Sequence, residues 1–297
     1  MSISVIAKNV GTLTEGPHWD QNTQTLLFVN ITTASVFQWG LDAEDLKEVI
    51  VKGAPTVGAV VPRQQGGYVV AAGRHFGTLD IETGEMTRLA EIDKHKTENR
   101  FNDGKCDANG RFWAGTMGPK KVTRVPEQGT LYSLDKDHSV RCHVDKVTTS
   151  NGIAWNSDNT IMYYIDTGLR SVDAFDFDLE LGTLSNRRTA VSFTDCPGRP
   201  DGMCIDIEGK LWVAMYCGSA ILRVDPLSGK IMRTIEMPVS CPTSCCFGGE
   251  KFDVLYVTSA SQFSTQEEQL AKEPLAGSVF QITNLGVTGL PANTFSG

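Results

Sequence analysis

The chain has 297 residues, of which 40% are hydrophobic, and its 27 Lys and Arg against 35 Asp and Glu give a formal net charge of −8. This acidic balance, without any basic run, argues against a nucleic-acid partner. The N-terminal residues are too poor in apolar side chains for a signal peptide, and no apolar run approaches the roughly 18 residues of a membrane helix. We therefore expect a soluble, cytoplasmic protein with no membrane partner.

The eight cysteines are scattered, with no CxxC pair and no zinc-type spacing. Cys245 and Cys246 are adjacent, which is poor geometry for a structural disulfide framework. The pattern therefore predicts eight reduced thiols, as is usual in the cytosol.

Along the chain, six positions at intervals of 43 to 50 residues begin similar units, and we call them the anchors: Glu15, Gly58, Asn102, Asn151, Asp201 and Ser244. Eleven residues after each anchor comes an apolar residue within a short apolar or aromatic run. In the two clearest units a turn glycine falls eight residues after the anchor and Trp113 or Trp212 falls eleven after it. Such self-similarity at a fixed period is typical of repeat architectures.

Each unit contains four predicted strands. In the fifth unit they are 203–205, 211–214, 220–224 and 230–235, separated by turns at 206–209 and 225–229. Evenly spaced short strands are compatible with a sandwich, a barrel or a propeller. A period of about 45 residues with four strands selects the propeller. The sequence therefore predicts an all-β, six-bladed propeller that occupies residues 1–297 as a single domain.

The last unit has its third strand at 278–282, and we expect the fourth from the N-terminus, near 3–7. This pairing would close the ring and remove an exposed sheet edge. Residues 262–274 interrupt the same unit as a loop with a helical turn, which either shapes a pocket at the channel mouth or is a plain surface insertion.

The first strand of each propeller blade lines the central channel, so the anchors are expected at one height around the axis. Glu15, Asn102, Asn151 and Asp201 supply two carboxylates and two carboxamides there. Asn-Gly and Asp-Gly are also common turn dipeptides, but the hairpin turn of each unit lies five to eight residues later. Hard oxygen donors of this kind suit Ca²⁺, Mg²⁺ or Mn²⁺, whereas a zinc site of His and Cys is not expected because no anchor is a histidine.

Few protein ligands would leave coordination positions open for water and substrate, as a catalytic metal requires. Asp201 and Asp103 are the candidates for a general base. Arg100 lies two residues before Asn102, on the same face of an extended strand, where it would bind a substrate oxygen or form a structural ion pair.

The chain resembles the regucalcin–gluconolactonase family, which includes the insect luciferin-regenerating enzyme, over nearly its whole length. The resemblance is carried by residues 15–19, 99–105, 114–117, 150–152, 163–166, 172–176, 185–188, 200–206, 209–214 and 244–249. It implies a six-bladed propeller with one divalent metal held by Glu15, Asn151 and Asp201, joined in some members by Asn102. It further implies hydrolysis of aldonolactones such as gluconolactone, with Asp201 as base and with Arg100 and Asn102 contacting substrate.

One departure from the family pattern bears on the substrate. Vertebrate regucalcins follow the Thr-Met pair with alanine and two acidic residues, whereas this chain has Gly118, Pro119, Lys120 and Lys121. A lysine in place of a substrate-facing acid favours an anionic ligand, so Lys120 joins Arg100, Asn102 and Asp103 as a candidate substrate contact. His18 is either a proton shuttle or a packed histidine.

Three functions follow as hypotheses. The first is a metal-dependent lactonase, with Ca²⁺ favoured and Zn²⁺, Mn²⁺ and Mg²⁺ as alternatives. The second is a hydrolase of another ester or a luciferin-type substrate at the same site, and the third is a non-enzymatic calcium-binding regulator. The expected partner is a small lactone or ester, and the chain is expected to be a monomer or a weak dimer.

Overall fold

The computed structural model describes residues 1–41, 45–119, 126–263 and 265–297. These residues form six four-stranded antiparallel sheets. The first strand of each sheet packs against the first strands of its neighbours, so the sheets close a ring around a central channel. The predicted six-bladed propeller is therefore confirmed.

The strands follow the chain in blade order, and only the last blade combines distant segments. They are β1 (Ser2–Ala7); β2 (Thr14–Asp20), β3 (Thr25–Asn30), β4 (Ser35–Gly40) and β5 (Leu46–Ile50) in blade 1; β6 (Val57–Pro62), β7 (Tyr68–Ala72), β8 (His75–Leu79) and β9 (Met86–Glu91) in blade 2; β10 (Arg100–Cys106), β11 (Phe112–Met117), β12 (Gly129–Leu134) and β13 (Val140–Val147) in blade 3; β14 (Ser150–Trp155), β15 (Ile161–Asp166), β16 (Ser171–Asp178) and β17 (Thr183–Ser192) in blade 4; β18 (Arg199–Ile205), β19 (Leu211–Tyr216), β20 (Ala220–Asp225) and β21 (Lys230–Glu236) in blade 5; and β22 (Pro242–Gly248), β23 (Val254–Ser259) and β24 (Val279–Thr283) in blade 6.

The ring closes as predicted. Strand β1 pairs antiparallel with β24, with Ser2 opposite Thr283 and Val5 opposite Phe280. The N-terminal strand thus supplies the outer strand of blade 6, and the terminal blades are joined by backbone hydrogen bonds rather than by side chains alone.

The segment between β23 and β24 contains the helical turn that the sequence predicts, α1 (Gln266–Lys272). The side chain of Thr265 caps it by accepting a hydrogen bond from the Glu268 amide at 3.2 Å. Across the described ranges, no helix combines the length and apolar character needed to cross a membrane.

Asp107 and Asp206 each lie six residues before a tryptophan, Trp113 or Trp212, in the turn between the first two strands of their blade. This Asp-to-Trp spacing has a structural cause. In blade 5, Asp206 accepts hydrogen bonds from the Glu208 and Lys210 amides at 2.9 Å and from Trp212 Nε1 at 2.9 Å. In blade 3, Asp107 likewise accepts from two turn amides and from Trp113 Nε1. One buried carboxylate therefore fixes both the turn and the large side chain that fills the space between blades.

Replacing Asp206 is expected to destabilise the fold strongly. Its side chain is fully buried and also pairs with Arg223 at 2.7 Å, so Asp206→Ala leaves buried donors and a charge without their partner. We expect the free energy of unfolding to fall by about 3 kcal/mol, measured by urea denaturation. The matched control is Asp176→Ala, which removes an ion pair on the surface and should leave stability near wild type. Equal losses from the two variants would contradict the account.

The C-terminal segment covers one end of the channel. The Ile207 amide donates to the Thr288 carbonyl, the Gln64 amide donates to the Phe295 carbonyl, and the Ser296 amide donates to the Gly110 carbonyl. These contacts lie on the hairpin turns that follow the first strands. The anchors lie at the starts of those strands, and therefore at the opposite end of the channel.

Candidate functional site

Each anchor lies where the innermost strand of its blade departs from regular pairing. The register between the first and second strands shifts around Asn102 in β10, around Asn151 in β14 and around Asp201 in β18, with the same irregularity in the other three blades. A bulge of this kind re-aims a side chain relative to the sheet. The anchors are thus strand residues, and the interpretation of Asn-Gly and Asp-Gly as turn dipeptides is wrong here.

The glycines that follow two anchors allow adjacent innermost strands to approach closely. A Cβ added to Gly202 would lie 2.0 Å from Ser244 Oγ in blade 6, and a Cβ added to Gly152 would lie 2.8 Å from the Met203 amide nitrogen in blade 5. Neither distance is compatible with a side chain. The Asn-Gly and Asp-Gly pairs therefore combine a polar group with the space needed to bring the anchors together.

A hydrogen-bond chain joins the anchors of blades 3 and 4 and continues to blade 5. Asn102 Nδ2 donates to Asn151 Oδ1 at 3.1 Å and to the Ser150 carbonyl at 2.8 Å. Asn151 Nδ2 donates to Thr167 Oγ1 at 2.7 Å, and that hydroxyl donates to the Pro200 carbonyl at 2.9 Å. Because Asn151 Nδ2 is held by Thr167, the amide oxygen of Asn151 is fixed toward Asn102.

Arg100 contacts the same network from the neighbouring position on β10. Its Nη1 donates to Asn102 Oδ1 at 2.8 Å and to the Phe101 carbonyl at 2.9 Å. The oxygen of Asn102 is therefore engaged by a guanidinium. A role for Asn102 as metal ligand stays a prediction, and it would require Arg100 to release that oxygen.

Three carboxylates are buried in the channel, and the charges of two of them, Asp201 and Asp103, act on the third, Glu15. Glu15 is 2% exposed, while Asp103 and Asp201 are each 6% exposed. Burial, followed by the nearby charges of Asp201 and Asp103, raises the pKa of Glu15 well above its ordinary value. Burial also raises the pKa of Asp103, against the opposing effects of Lys105 and the Gly104 amide. Arg100 and the Gly16 amide act on Glu15 in the opposite direction, but the net effect of this environment disfavours the ionised carboxylate.

The donor set fits a hard divalent cation better than a soft one. Glu15, Asn151 and Asp201 offer oxygens from three blades, and all three side chains are buried. Within the described residues, no three side chains of His, Cys, Asp or Glu lie close enough together to hold a metal. A cation here would therefore depend on the amide oxygen of Asn151 in addition to the two carboxylates.

Lys105 is a charged channel residue that sequence reasoning did not single out. Its Nζ donates to the Met203 carbonyl at 2.8 Å. With His18 it lines a cavity of about 160 Å³ whose other wall includes residues 290–293 of the C-terminal segment. The position of Lys105 three residues after Asn102, on an innermost strand, was the available signal.

His18 lines the same cavity, at the end of the channel that the C-terminal segment covers. It follows Glu15 by three residues on β2. Burial lowers the pKa of His18 to about 4, with Lys105 acting in the same direction and Asp20 opposing them. The imidazole is therefore neutral at pH 7. It lies on the cavity side of Glu15, toward the C-terminal segment.

Two further predicted features are Lys120 and the loop that interrupts the last unit. Lys120 lies outside the described residues. Of the loop predicted over 262–274, the two ends lie at the same end of the channel as the anchors. Gln262 follows the end of β23 and contacts Cys241, and Glu273 accepts a 2.6 Å hydrogen bond from the Ser240 amide just before β22.

Comparisons with known proteins agree with this architecture. Residues 13–261 match the family model described as the SMP-30/Gluconolactonase/LRE-like region. The chain is 43% identical to the regucalcin of Xenopus laevis over 299 residues, covering 100% of this chain and 99% of the relative. Among solved structures, a luciferin-regenerating enzyme matches with a TM-score of 0.89 and 32% identity, covering 99% of each chain. A regucalcin from Agrobacterium tumefaciens, described as a calcium-binding protein, matches with a TM-score of 0.90 and 24% identity, covering 98% of this chain and 96% of its own.

Proposed function

This chain belongs to the SMP-30/gluconolactonase/LRE-like family, and from that premise we propose that it is a divalent-metal-dependent hydrolase of sugar lactones. The observation that supports the proposal is that Glu15, Asn151 and Asp201 are buried at equivalent positions of three first strands, at one end of the channel, with the charge of Asp201 acting on Glu15. Buried carboxylates that repel one another are costly unless a cation offsets their charge.

Glu15, Asn151 and Asp201 would hold the cation, and Ca²⁺ suits this set of oxygens best. When bound, such an ion would polarise a lactone carbonyl and lower the pKa of a water molecule. Thr167 positions the Asn151 amide by accepting from its Nδ2. The Asn151 oxygen accepts one hydrogen bond from Asn102 Nδ2, and its second lone pair would bind the cation.

Asp201 is the proposed general base. Its carboxylate takes a proton as the water oxygen bonds to the carbonyl carbon, and the proton passes to the ring oxygen as the ring C–O bond breaks. The product is the open-chain hydroxy acid, so atoms and charge balance without a covalent enzyme intermediate. Asp103 is the alternative base, but one of its oxygens already accepts the Gly104 amide at 2.7 Å.

Arg100 is the proposed contact for substrate oxygens. It is only partly buried and lies at the channel mouth, where its guanidinium would stabilise the developing oxyanion or the product carboxylate. The Asn102 oxygen accepts from Arg100, the proposed substrate contact, and the Asn102 amide nitrogen donates to Asn151, a proposed metal ligand. Asn102 therefore links the position of the substrate contact to the position of the metal ligand. Lys120 remains in the proposal only as a substrate contact suggested by the sequence.

The proposal is tested by turnover of gluconolactone with defined metals. Protein stripped with a chelator should be inactive, and activity should return with at least one of Ca²⁺, Zn²⁺, Mn²⁺ or Mg²⁺. Full activity in stripped protein, verified free of metal by elemental analysis, would contradict a metal-dependent mechanism.

The same assay separates the competing functions. Metal-dependent turnover of aryl esters or fluorophosphates, but of no sugar lactone, would favour another hydrolase at this site. Tight Ca²⁺ binding with no turnover of any substrate in the panel would favour the calcium-binding role for which the Agrobacterium relative is described.

A further inference from the structure

Two thiols face each other at the anchor end of the channel. The Sγ atoms of Cys217 and Cys241 are 2.9 Å apart, and both cysteines are free. A disulfide requires a separation of about 2.05 Å, so the sulfurs need to approach by only about 0.9 Å.

The pair joins two blades. Cys217 follows the last residue of β19 in blade 5, and Cys241 precedes the first residue of β22 in blade 6. Gln262 bridges them, since its Nε2 contacts Cys217 Sγ at 2.9 Å and Cys241 Sγ at 3.3 Å. The thiols therefore lie beside Gln262, close enough to Asp201 for its charge to contribute to raising the pKa of Cys217.

The two thiols differ in access, as the two partners in a reversible disulfide commonly do. Cys217 is exposed, whereas Cys241 is 1% exposed. A dissolved oxidant can reach Cys217 first, and Cys241 is then in place to resolve the product. Burial and the Cys241 contact raise the pKa of Cys217 to about 12, so thiolate is scarce at neutral pH and oxidation is expected to be slow.

A second pair provides an internal comparison. Cys204 and Cys245 are 3.6 Å apart, and both are buried. Their sulfurs are farther apart, and neither is open to an oxidant. Proximity and access thus coincide at Cys217 and Cys241 but not at Cys204 and Cys245.

We propose that Cys217 and Cys241 form a redox site, in which a peroxide makes a disulfide between blades 5 and 6 and a small thiol such as glutathione breaks it. The Cys217 thiolate attacks hydrogen peroxide, the O–O bond breaks, and one oxygen stays on Sγ as a sulfenic acid while the other leaves as water. Cys241 then attacks that sulfur, the S–O bond breaks, and the second oxygen leaves as water. The two thiols lose two electrons in all, and these reduce the peroxide. Two glutathione molecules restore both thiols by exchange and leave as glutathione disulfide.

The test is oxidation of the full chain with hydrogen peroxide, alkylation of the remaining thiols and peptide mass spectrometry after trypsin. We expect a cross-link between the peptide 211–223, which holds Cys217, and the peptide 234–251, and we expect glutathione to remove it. Because Cys241, Cys245 and Cys246 share the second peptide, Cys241→Ser is needed to assign the bond and should abolish the cross-link. Cys204→Ser, from the comparison pair, should leave it unchanged.

A second readout is independent of peptide assignment. The disulfide would raise the thermal midpoint of the wild-type protein, since it constrains the unfolded chain, and glutathione should return the midpoint to its starting value. Oxidation of Cys217 to sulfinic acid without a cross-link, or the same cross-link in Cys241→Ser, would overturn the proposal. Neither readout uses catalysis, so the redox site and the lactonase proposal fail or succeed separately.

Discussion

Asp201→Asn is expected to lower kcat for gluconolactone by at least about 10²-fold, because it removes the proposed general base. Asparagine keeps the size of the side chain and one carbonyl oxygen, so the bulge in β18 should persist. Metal affinity should fall as well, because one of the two ligand carboxylates becomes neutral. Assays at saturating metal separate these effects, since only the loss of the base persists there.

Ser244→Ala is the matched control for Asp201→Asn. Ser244 is the anchor of blade 6, is 4% exposed and has no proposed part in the chemistry. The control should keep turnover within a few-fold of wild type. Wild-type turnover by a folded, metal-saturated Asp201→Asn protein would remove Asp201 from the mechanism.

Glu15→Gln is expected to change the metal-free and metal-bound proteins in opposite directions. In the metal-free protein the buried Glu15 carboxylate is disfavoured by desolvation and by Asp201 and Asp103, so a neutral side chain should raise the thermal midpoint at pH 7. The Gly16 amide, 3.1 Å from Glu15 Oε2, keeps an acceptor in glutamine. In the presence of Ca²⁺, the variant should lose the stabilisation that the wild type gains, about 2.7 kcal/mol at a hundredfold excess over Kd.

The pair of effects is measured by thermal denaturation with chelator and with Ca²⁺. Glu85→Gln is the control, because Glu85 is 67% exposed and pairs with Lys52 at the surface. It should leave both midpoints near wild type. A Glu15→Gln protein that keeps the full Ca²⁺-dependent rise would show that the cation binds elsewhere.

The fold could be predicted from sequence because the same physical requirement recurs in each blade. The Asp-to-Trp spacing in blades 3 and 5 reflects one buried carboxylate that holds a turn and an indole. The closure by β1 followed from the missing outer strand of the last unit. These features depend on local turns and strand pairing, so the residues that form them recur at a regular spacing in the sequence.

The placement of the anchors at one end of the channel could be predicted because equivalent strand positions share a height in a propeller. Other details of the site depend on contacts between blades that a sequence period does not encode. The hydrogen bonds from Asn102 to Asn151 and from Lys105 to Met203 are such contacts. The proximity of Cys217 and Cys241 has the same origin, because separate blades bring them together. The engagement of the Asn102 oxygen by Arg100 and the anchoring of Asn151 by Thr167 depend instead on side-chain orientation within one blade.

The most direct measurement is a crystal structure of the protein grown with Ca²⁺, with the ion located by anomalous scattering. We expect one peak on the channel axis, within about 2.3–2.6 Å of oxygens from Glu15, Asn151 and Asp201. A bound ion whose ligands exclude these three side chains, or a channel with no ion at saturating Ca²⁺, Mn²⁺ and Mg²⁺, would contradict the proposed metal site.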